Sequence, residues 1–303
     1  MTLWVLSPML HDTASFLRLR DEVAAACAGA GIGGTIRHLV VDDSAGTDGE
    51  VRRLRDLDDV TVMTPPFTLG HQRAIVFGLR QLARHVAPDD VVVTMDSDGE
   101  DQPADVPRLV GALTGATSLV VAERTERSES LRFRVMYLFF RVVFRLVTGT
   151  SVRSGNFAAQ RGDSLVTTIG HPSFDLCYSS TLLTLRRPTV RVPCARGSRF
   201  AGRSRMNQSA LIAHGIRMML PFSERIAVRM LVAAGATGVV LVASVVAVVT
   251  GLVGDAGAGA VTVVVALATV LVILVVSSVV LFAGFAQSSG IAALGIETTV
   301  TDG

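Results

Sequence analysis

From about residue 230 to residue 286 the chain is almost entirely Val, Ala, Leu and Gly. Two stretches, 230–253 and 260–286, each exceed the roughly 20 apolar residues that cross a bilayer as a helix. The linker between them, Gly254–Gly259, is short and glycine-rich, so the two spans are expected to form a hairpin. A buried hairpin in a soluble protein is the competing reading, but it needs two helices apolar on every side. Arg217, Arg225 and Arg229 precede the first span. The positive-inside rule puts that side in the cytoplasm. The expected protein is therefore multi-pass in the cell membrane, with its catalytic part and C-terminal tail cytoplasmic. The expected divisions are a catalytic domain at 1–200, a juxtamembrane segment at 201–229, the hairpin at 230–286 and a tail at 287–303.

The hydrophobic content of 50% exceeds what a soluble domain needs, and the excess lies in that hairpin, while the first 200 residues have ordinary globular patterning. The net charge of +2 says little, but its make-up says more, because every basic residue is Arg. Codon bias explains this blandly; Arg also grips phosphate in a bidentate way that Lys cannot. The arginines thicken over 124–145 and 186–229. They alternate there with aliphatic and aromatic residues and form no nucleic-acid motif, so nucleic acid is not an expected partner. Cys27, Cys177 and Cys194 are widely spaced, without a CxxC pair, which suggests neither disulfides nor zinc and fits a reducing compartment. Met1–Leu6 lacks the basic and apolar regions of a signal peptide and reads as a first strand.

Short apolar runs at Leu3–Leu6, Ile36–Val41, Val60–Met63, Val91–Met95 and Leu119–Ala122 alternate with helical periodicity at 13–28, 71–87 and 104–114. That alternation predicts βαβ units and a Rossmann-like, mostly parallel sheet, hence an α/β fold. Ligands of such sheets bind beyond the carboxyl ends of the strands. Asp42-Asp43 and Asp96-Ser97-Asp98 fall at those ends. Residues 131–148 interleave Phe133, Tyr137, Phe139, Phe140 and Phe144 with Arg132, Arg134, Arg141 and Arg145. Such a helix suits a membrane interface; the plainer reading is a core helix with snorkelling arginines. A second interfacial candidate is 205–222, ended by Pro221.

Asp96 and Asp98, one residue apart in the turn after a strand, can converge on a hard cation, Mg²⁺ or Mn²⁺, that holds a diphosphate. A solvated acidic turn is the bland alternative. Here the motif runs on through Gly99-Glu100-Asp101-Gln102-Pro103. Asp42-Asp43 leads into a turn and a helix cap. Gly70-His71-Gln72-Arg73-Ala74 opens a helix whose free N–H groups, with Arg73, can meet an anion, although His71 equally suits an exposed cap.

Together these segments resemble, in order, the family 2 glycosyltransferases of the GT-A fold, and among them the polyprenyl-phosphate glycosyltransferases. The family's Pro-x-Tyr-Asn-Glu appears as Pro8-Met9-Leu10-His11-Asp12, and its Val-Asp-Asp-Gly-Ser as Val41-Asp42-Asp43-Ser44-Ala45. Its Asp-x-Asp-x-Gln appears as Asp96-Ser97-Asp98-Gly99-Glu100. A strand ending in Arg124 and the run Ser154-Gly155-Asn156-Phe157 follow. The late Arg-x-x-Gly-x-Ser-Lys appears as Arg199-Phe200-Ala201-Gly202-Arg203-Ser204-Arg205. The resemblance implies that Pro8, Asp12, Asp43 and Asp96 meet the nucleotide-sugar, with Arg73 beside it. It implies a metal at Asp96, Asp98 and Glu100, and phosphates at Arg124, Arg199, Ser204 and Arg205. Asp12 is shorter than the family's Glu, Glu100 adds a charge where the family has Gln, and Arg205 stands for Lys.

The implied reaction is an inverting transfer of a hexose from a UDP- or GDP-sugar to a polyprenyl phosphate, in one in-line displacement. A phosphate acceptor is already mostly ionised near pH 7, with a second pKa of about 6, so no general base is required. A lipid hydroxyl acceptor, such as a glycerolipid, needs one, and Asp101 is the candidate. A processive polysaccharide synthase is disfavoured, since its Gln-x-x-Arg-Trp motif is absent and Trp4 is the sole Trp. A non-catalytic scaffold is opposed by the intact Asp96 and Asp98. Gly235, Gly238 and Gly251 allow close helix packing, so a homo-oligomer is also open.

Overall fold

The computed structural model describes residues 1–124, 131–185, 187–201, 208–250 and 257–287. Seven strands form one sheet: β1 (Thr2–Met9), β2 (Thr35–Asp42), β3 (Val60–Met63), β4 (Val91–Thr94), β5 (Leu119–Arg124), β6 (Ser154–Arg161) and β7 (Thr189–Cys194). Their order is β3-β2-β1-β4-β6-β5-β7. All neighbours run parallel except β6, which is antiparallel to both β4 and β5. The later residues of β1 and β2, and Val-rich β4 throughout, are buried on both faces, as parallel strands covered by helices must be.

The helices are α1 (Thr13–Gly29), α2 (Arg52–Arg55), α3 (His71–Leu82), α4 (Val106–Gly111), α5 (Leu131–Thr148), α6 (Gly162–Ile169), α7 (Tyr178–Thr184), α8 (Gln208–Met219), α9 (Ser223–Val249) and α10 (Gly257–Gln287). One apolar cluster lies around Phe16, Leu19 and Val23 of α1, with Val5, Val40 and Val93 of the sheet. A second lies around Ile75, Leu79 and Leu82 of α3, with Leu6, Leu39 and Val92. Leu39, Val40 and Leu6, Val5 thus divide between the two sides, as the period of two in a strand requires. Glycine sets how closely α3 approaches the sheet. A Cβ at Gly78 would lie 2.7 Å from both Leu6 Cδ1 and Val41 Cγ2.

The chain divides into two units, one of Met1–Arg141 with Ser151–Pro221, the other of Val142–Thr150 with the described residues from Phe222 to Gln287. The first contains the whole sheet and is a GT-A fold. In the second, α9 and α10 pack together as two long apolar helices, consistent with a hairpin.

All five expected strands are present, with β1 extended to Met9 and β5 to Arg124. The expected helix at 71–87 stops at Leu82 and tightens into turns up to Val86, ahead of Pro88. The expected 104–114 helix is a single 3₁₀ turn, Pro103–Asp105, followed by the short α4, which starts beside Pro107. Proline is tolerated only in a first turn, so the helix begins again there. Of the expected 205–222 segment, residues 208–222 form α8 and a 3₁₀ turn, Leu220–Phe222, at Pro221, and 205–207 lie outside the described residues. Two strands were not expected. β6 is rich in small and polar residues, and it is made a strand by pairing on both edges. β7 carries Pro193, which is tolerable because β7 is the edge of the sheet.

Candidate active site

The sheet order reverses direction between β1 and β4, where ligands of open α/β sheets bind. Three acidic segments reach that end: Asp12 after β1, Asp42-Asp43 at the end of β2, and Asp96–Asp101 after β4. Gly99 makes the last of these turns possible, with φ of +87° and the Phe200 ring 2.7 Å from where a Cβ would stand.

Asp96, Asp98 and Glu100 each present an oxygen within 4.8 Å of the others. The expected metal-binding residues are therefore brought together. Three carboxylates are a hard, all-oxygen donor set that fits Mg²⁺ or Mn²⁺. Their counter-charges come from the segment after β7. The Arg199 guanidinium lies 2.5 Å from Asp98 Oδ2 and 3.3 Å from Glu100 Oε1. Arg196 pairs with Glu100 Oε2. The backbone follows, with Gly197 N–H donating to Glu100 O and Phe200 N–H to Asp98 O. A Cβ on Gly197 would sit 2.4 Å from Gly99 O, so only glycine lets these two turns meet this closely.

Asp96 is clamped on one oxygen: its Oδ1 accepts from His71 Nε2 at 2.6 Å and from Asn156 Nδ2 at 2.8 Å. Burial alone would raise its pKa, but His71, Arg124 and Asn156 together hold it well below the usual carboxylate range. Asp98 is pushed up to about 6, first by burial and then by the Asp96 charge. Asp101 is also pushed up to about 6, by burial and by Asp96. Its oxygens take the Arg124 guanidinium at 3.2 Å and the Asp96 N–H at 3.0 Å. Asp101 is 3% exposed, so it acts as a brace between β4 and β5 rather than facing a substrate.

These shifts give a pH dependence. Asp98 and Asp101 bind a proton more tightly folded than unfolded. Their contribution to metal-free stability is complete below the ordinary aspartate range and is lost as pH rises through about 6. A divalent cation needs the deprotonated oxygens, so its uptake should release protons. The expected result is a larger Mn²⁺-induced rise in melting temperature above pH 6 than below it, measured by thermal unfolding across a pH series. An equal rise at every pH would mean that the cation does not use Asp98.

Asp43 is buried, and burial raises its pKa. Its oxygens accept the backbone N–H groups of Leu69 at 2.6 Å and Gly70 at 2.9 Å, so it shapes the entry to α3. Pro8 is buried within β1. Asp12 caps α1 by position without a side-chain cap bond, and it is partly exposed. Arg73 is exposed on the first turn of α3. Ser204 and Arg205 lie outside the described residues. The roles of His71, Asn156 and Arg196 were not expected. Their signal was the acidity of 96–101 itself, since four carboxylates in six residues demand nearby donors and cations.

The family model described as Glycosyl transferase family 2 matches residues 19–178, more than half of the chain. No curated protein matches it in sequence. Among solved structures, the chain is similar to glucosyl-3-phosphoglycerate synthase from Mycobacterium tuberculosis in complex with UDP, at 19% identity and a TM-score of 0.48, over 74% of this chain and 80% of that one. A mycobacterial protein aligns at 21% identity and a TM-score of 0.47, over 74% of each chain. Mannosyl-3-phosphoglycerate synthase from Rubrobacter xylanophilus aligns at 13% identity and a TM-score of 0.48, over 76% of this chain and 74% of that one. On the extent of the family match, and with nucleotide-sugars as the donors of that family, the chain belongs to glycosyl transferase family 2.

Proposed function

We propose that this chain transfers a hexose, with inversion, from a UDP- or GDP-sugar to a polyprenyl phosphate at the cytoplasmic face of the cell membrane. The observation that carries this reading is the convergence of Asp96, Asp98 and Glu100 in a chain that also holds two helices long and apolar enough to span a bilayer. Only 6% of each apolar window is buried within the protein, which favours lipid over a soluble core as their surroundings. α5 adds support: Leu138, Phe139, Val142 and Leu146 are exposed along it beside exposed Arg141 and Arg145. That combination suits the boundary between headgroups and acyl chains. On this reading residues 1–200 are catalytic, 201–229 lie at the interface and 230–286 span the membrane.

When bound at the three carboxylates, a divalent cation would neutralise the departing nucleoside diphosphate. The chain's own residues do the rest. Asp12, Asp43 and the start of α3 at Gly70–Arg73 border the place for the nucleotide. Arg199 and Arg196, released from Asp98 and Glu100, are in position to grip phosphate oxygens, and Arg124 with Asp101 fixes the floor of the site. An anionic acceptor needs positive charge more than it needs a base, and this site is rich in arginine. A hydroxyl acceptor would need a free carboxylate, whereas both oxygens of Asp101 are engaged.

The test is to incubate membranes containing the protein with a panel of labelled nucleotide-sugars and Mn²⁺. Label in an acid-labile lipid is expected. Label only in an alkali-labile glycerolipid would replace the acceptor class.

A further inference from the structure

A line of polar groups that the transfer scheme does not use runs from buried Ser179 and Gln72 through the partly exposed His71 to Asp96. Gln72 lies in the first turn of α3 and is 5% exposed. Its Oε1 accepts from the Ser179 backbone N–H at 3.0 Å and the Ser179 hydroxyl at 2.9 Å, both at the start of α7. The Cys177 thiol is also within 3.4 Å of it. A backbone N–H can only donate, so the oxygen of the amide must face Ser179 and the NH₂ must face the other way. There, Gln72 Nε2 lies 3.2 Å from His71 Nδ1. An NH₂ group can only donate, so Nδ1 must be bare and the ring proton must sit on Nε2, 2.6 Å from Asp96 Oδ1. Burial works against a second proton on this ring, but the Asp96, Asp101 and Asp98 carboxylates outweigh it and raise the ring's affinity for one; the Gln72 NH₂ facing Nδ1 is the contact that opposes it. The far end of the line is also held, because the hydroxyl of Tyr178, beside Ser179, lies 3.1 Å from Thr94 Oγ1 in β4.

We propose that His71 is a positioning residue for the metal site. Gln72, oriented by the Ser179 N–H, fixes His71 as the Nε2–H tautomer. That single N–H and the Asn156 amide then occupy Oδ1 of Asp96 and leave Oδ2 for a cation. The proposal rests on the metal-dependent donor site and is independent of the acceptor. Histidine and carboxylate have exchanged their common places here: the carboxylate is the ligand, and the histidine holds it in orientation.

The test uses full-length protein in nanodiscs, metal-free and ¹⁵N-labelled at histidine, with His71→Gln used to assign the signal. Long-range ¹H–¹⁵N spectra should show His71 with one bare and one protonated ring nitrogen, the proton being on Nε2. Gln72→Met should lose that preference and weaken Mn²⁺ binding, read by electron paramagnetic resonance, about 10-fold or more. His71→Phe should weaken it at least as much, whereas His71→Gln, which keeps an N–H donor, should restore binding to within a few-fold of wild type. An Nδ1–H or doubly protonated ring in the wild-type protein would overturn the proposal without recourse to any variant. So would unchanged Mn²⁺ affinity in folded Gln72→Met. Wild-type protein with the expected tautomer but no Mn²⁺ binding would overturn the metal site on which the assignment of Oδ2 depends.

Discussion

Asp98→Ala is expected to slow sugar transfer by about three orders of magnitude while leaving the protein folded. Asp98 is 6% exposed and sits between Asp96 and Glu100, so its carboxylate is central to the cluster. Its removal leaves Arg199 paired with Glu100 alone. The stability cost should be small, because a buried acid pushed up to about 6 is already under strain from burial and from Asp96. The rate cost should be large, because without this oxygen a cation loses a ligand and the leaving diphosphate loses its neutralising charge. Asp98→Asn should behave almost identically: the amide fits the space but brings no charge. The measurement is release of nucleoside diphosphate with Mn²⁺ in excess, alongside circular dichroism and thermal unfolding. Activity within tenfold of wild type in Asp98→Ala would show that the three carboxylates are not the metal site.

The parallel half of the sheet was legible because β1, β2 and β4 each hold a short apolar run, and burial on both faces leaves such a run few alternatives. The acidic ends of β2 and β4 were legible for a related reason: a carboxylate directly after a buried strand has to emerge at the sheet's edge. β6 was not legible as a strand. Its SGNFAAQR carries no β-branched residue, and its pairing on both edges is a tertiary fact that no local pattern encodes.

The acids of the candidate site stood out by their place after a strand and by the family resemblance, but their partners did not. Arg199 and Glu100 are 99 residues apart, and Gln72 and Ser179 are 107 apart. Each contact exists because β5, β6 and β7 fold the later chain back over the end of β4. The resemblance to known transferases assigned Arg199 to phosphate, whereas in the structure it is bound to two carboxylates. On the proposed function, the two assignments would describe one guanidinium with and without a competing cation in the site, and that difference can be measured.

Arg199→Ala is therefore expected to move two quantities in opposite directions. The guanidinium holds the same oxygens, Asp98 Oδ2 and Glu100 Oε1, that a cation would take. Uptake of Mn²⁺ in the wild-type protein must first break that contact, a hydrogen-bonded charge pair worth roughly 1.5 kcal/mol at a side chain still partly open to water. With alanine there is nothing to displace, and Mn²⁺ should bind about tenfold more tightly. Transfer should nevertheless slow by about 100-fold in kcat/KM, since on the proposed function the displaced guanidinium is available to receive phosphate oxygens. A residue that merely holds the fold together cannot produce this pair of results; losing it would weaken both. Arg199→Lys should fall between, because an ammonium is a point charge that cannot span both carboxylates. Titration of Mn²⁺ by electron paramagnetic resonance, beside steady-state kinetics at saturating metal, separates the two effects. Weaker Mn²⁺ binding in Arg199→Ala would mean that Arg199 organises the carboxylates rather than competing for them, and the same guanidinium could then not be the one that phosphate takes over.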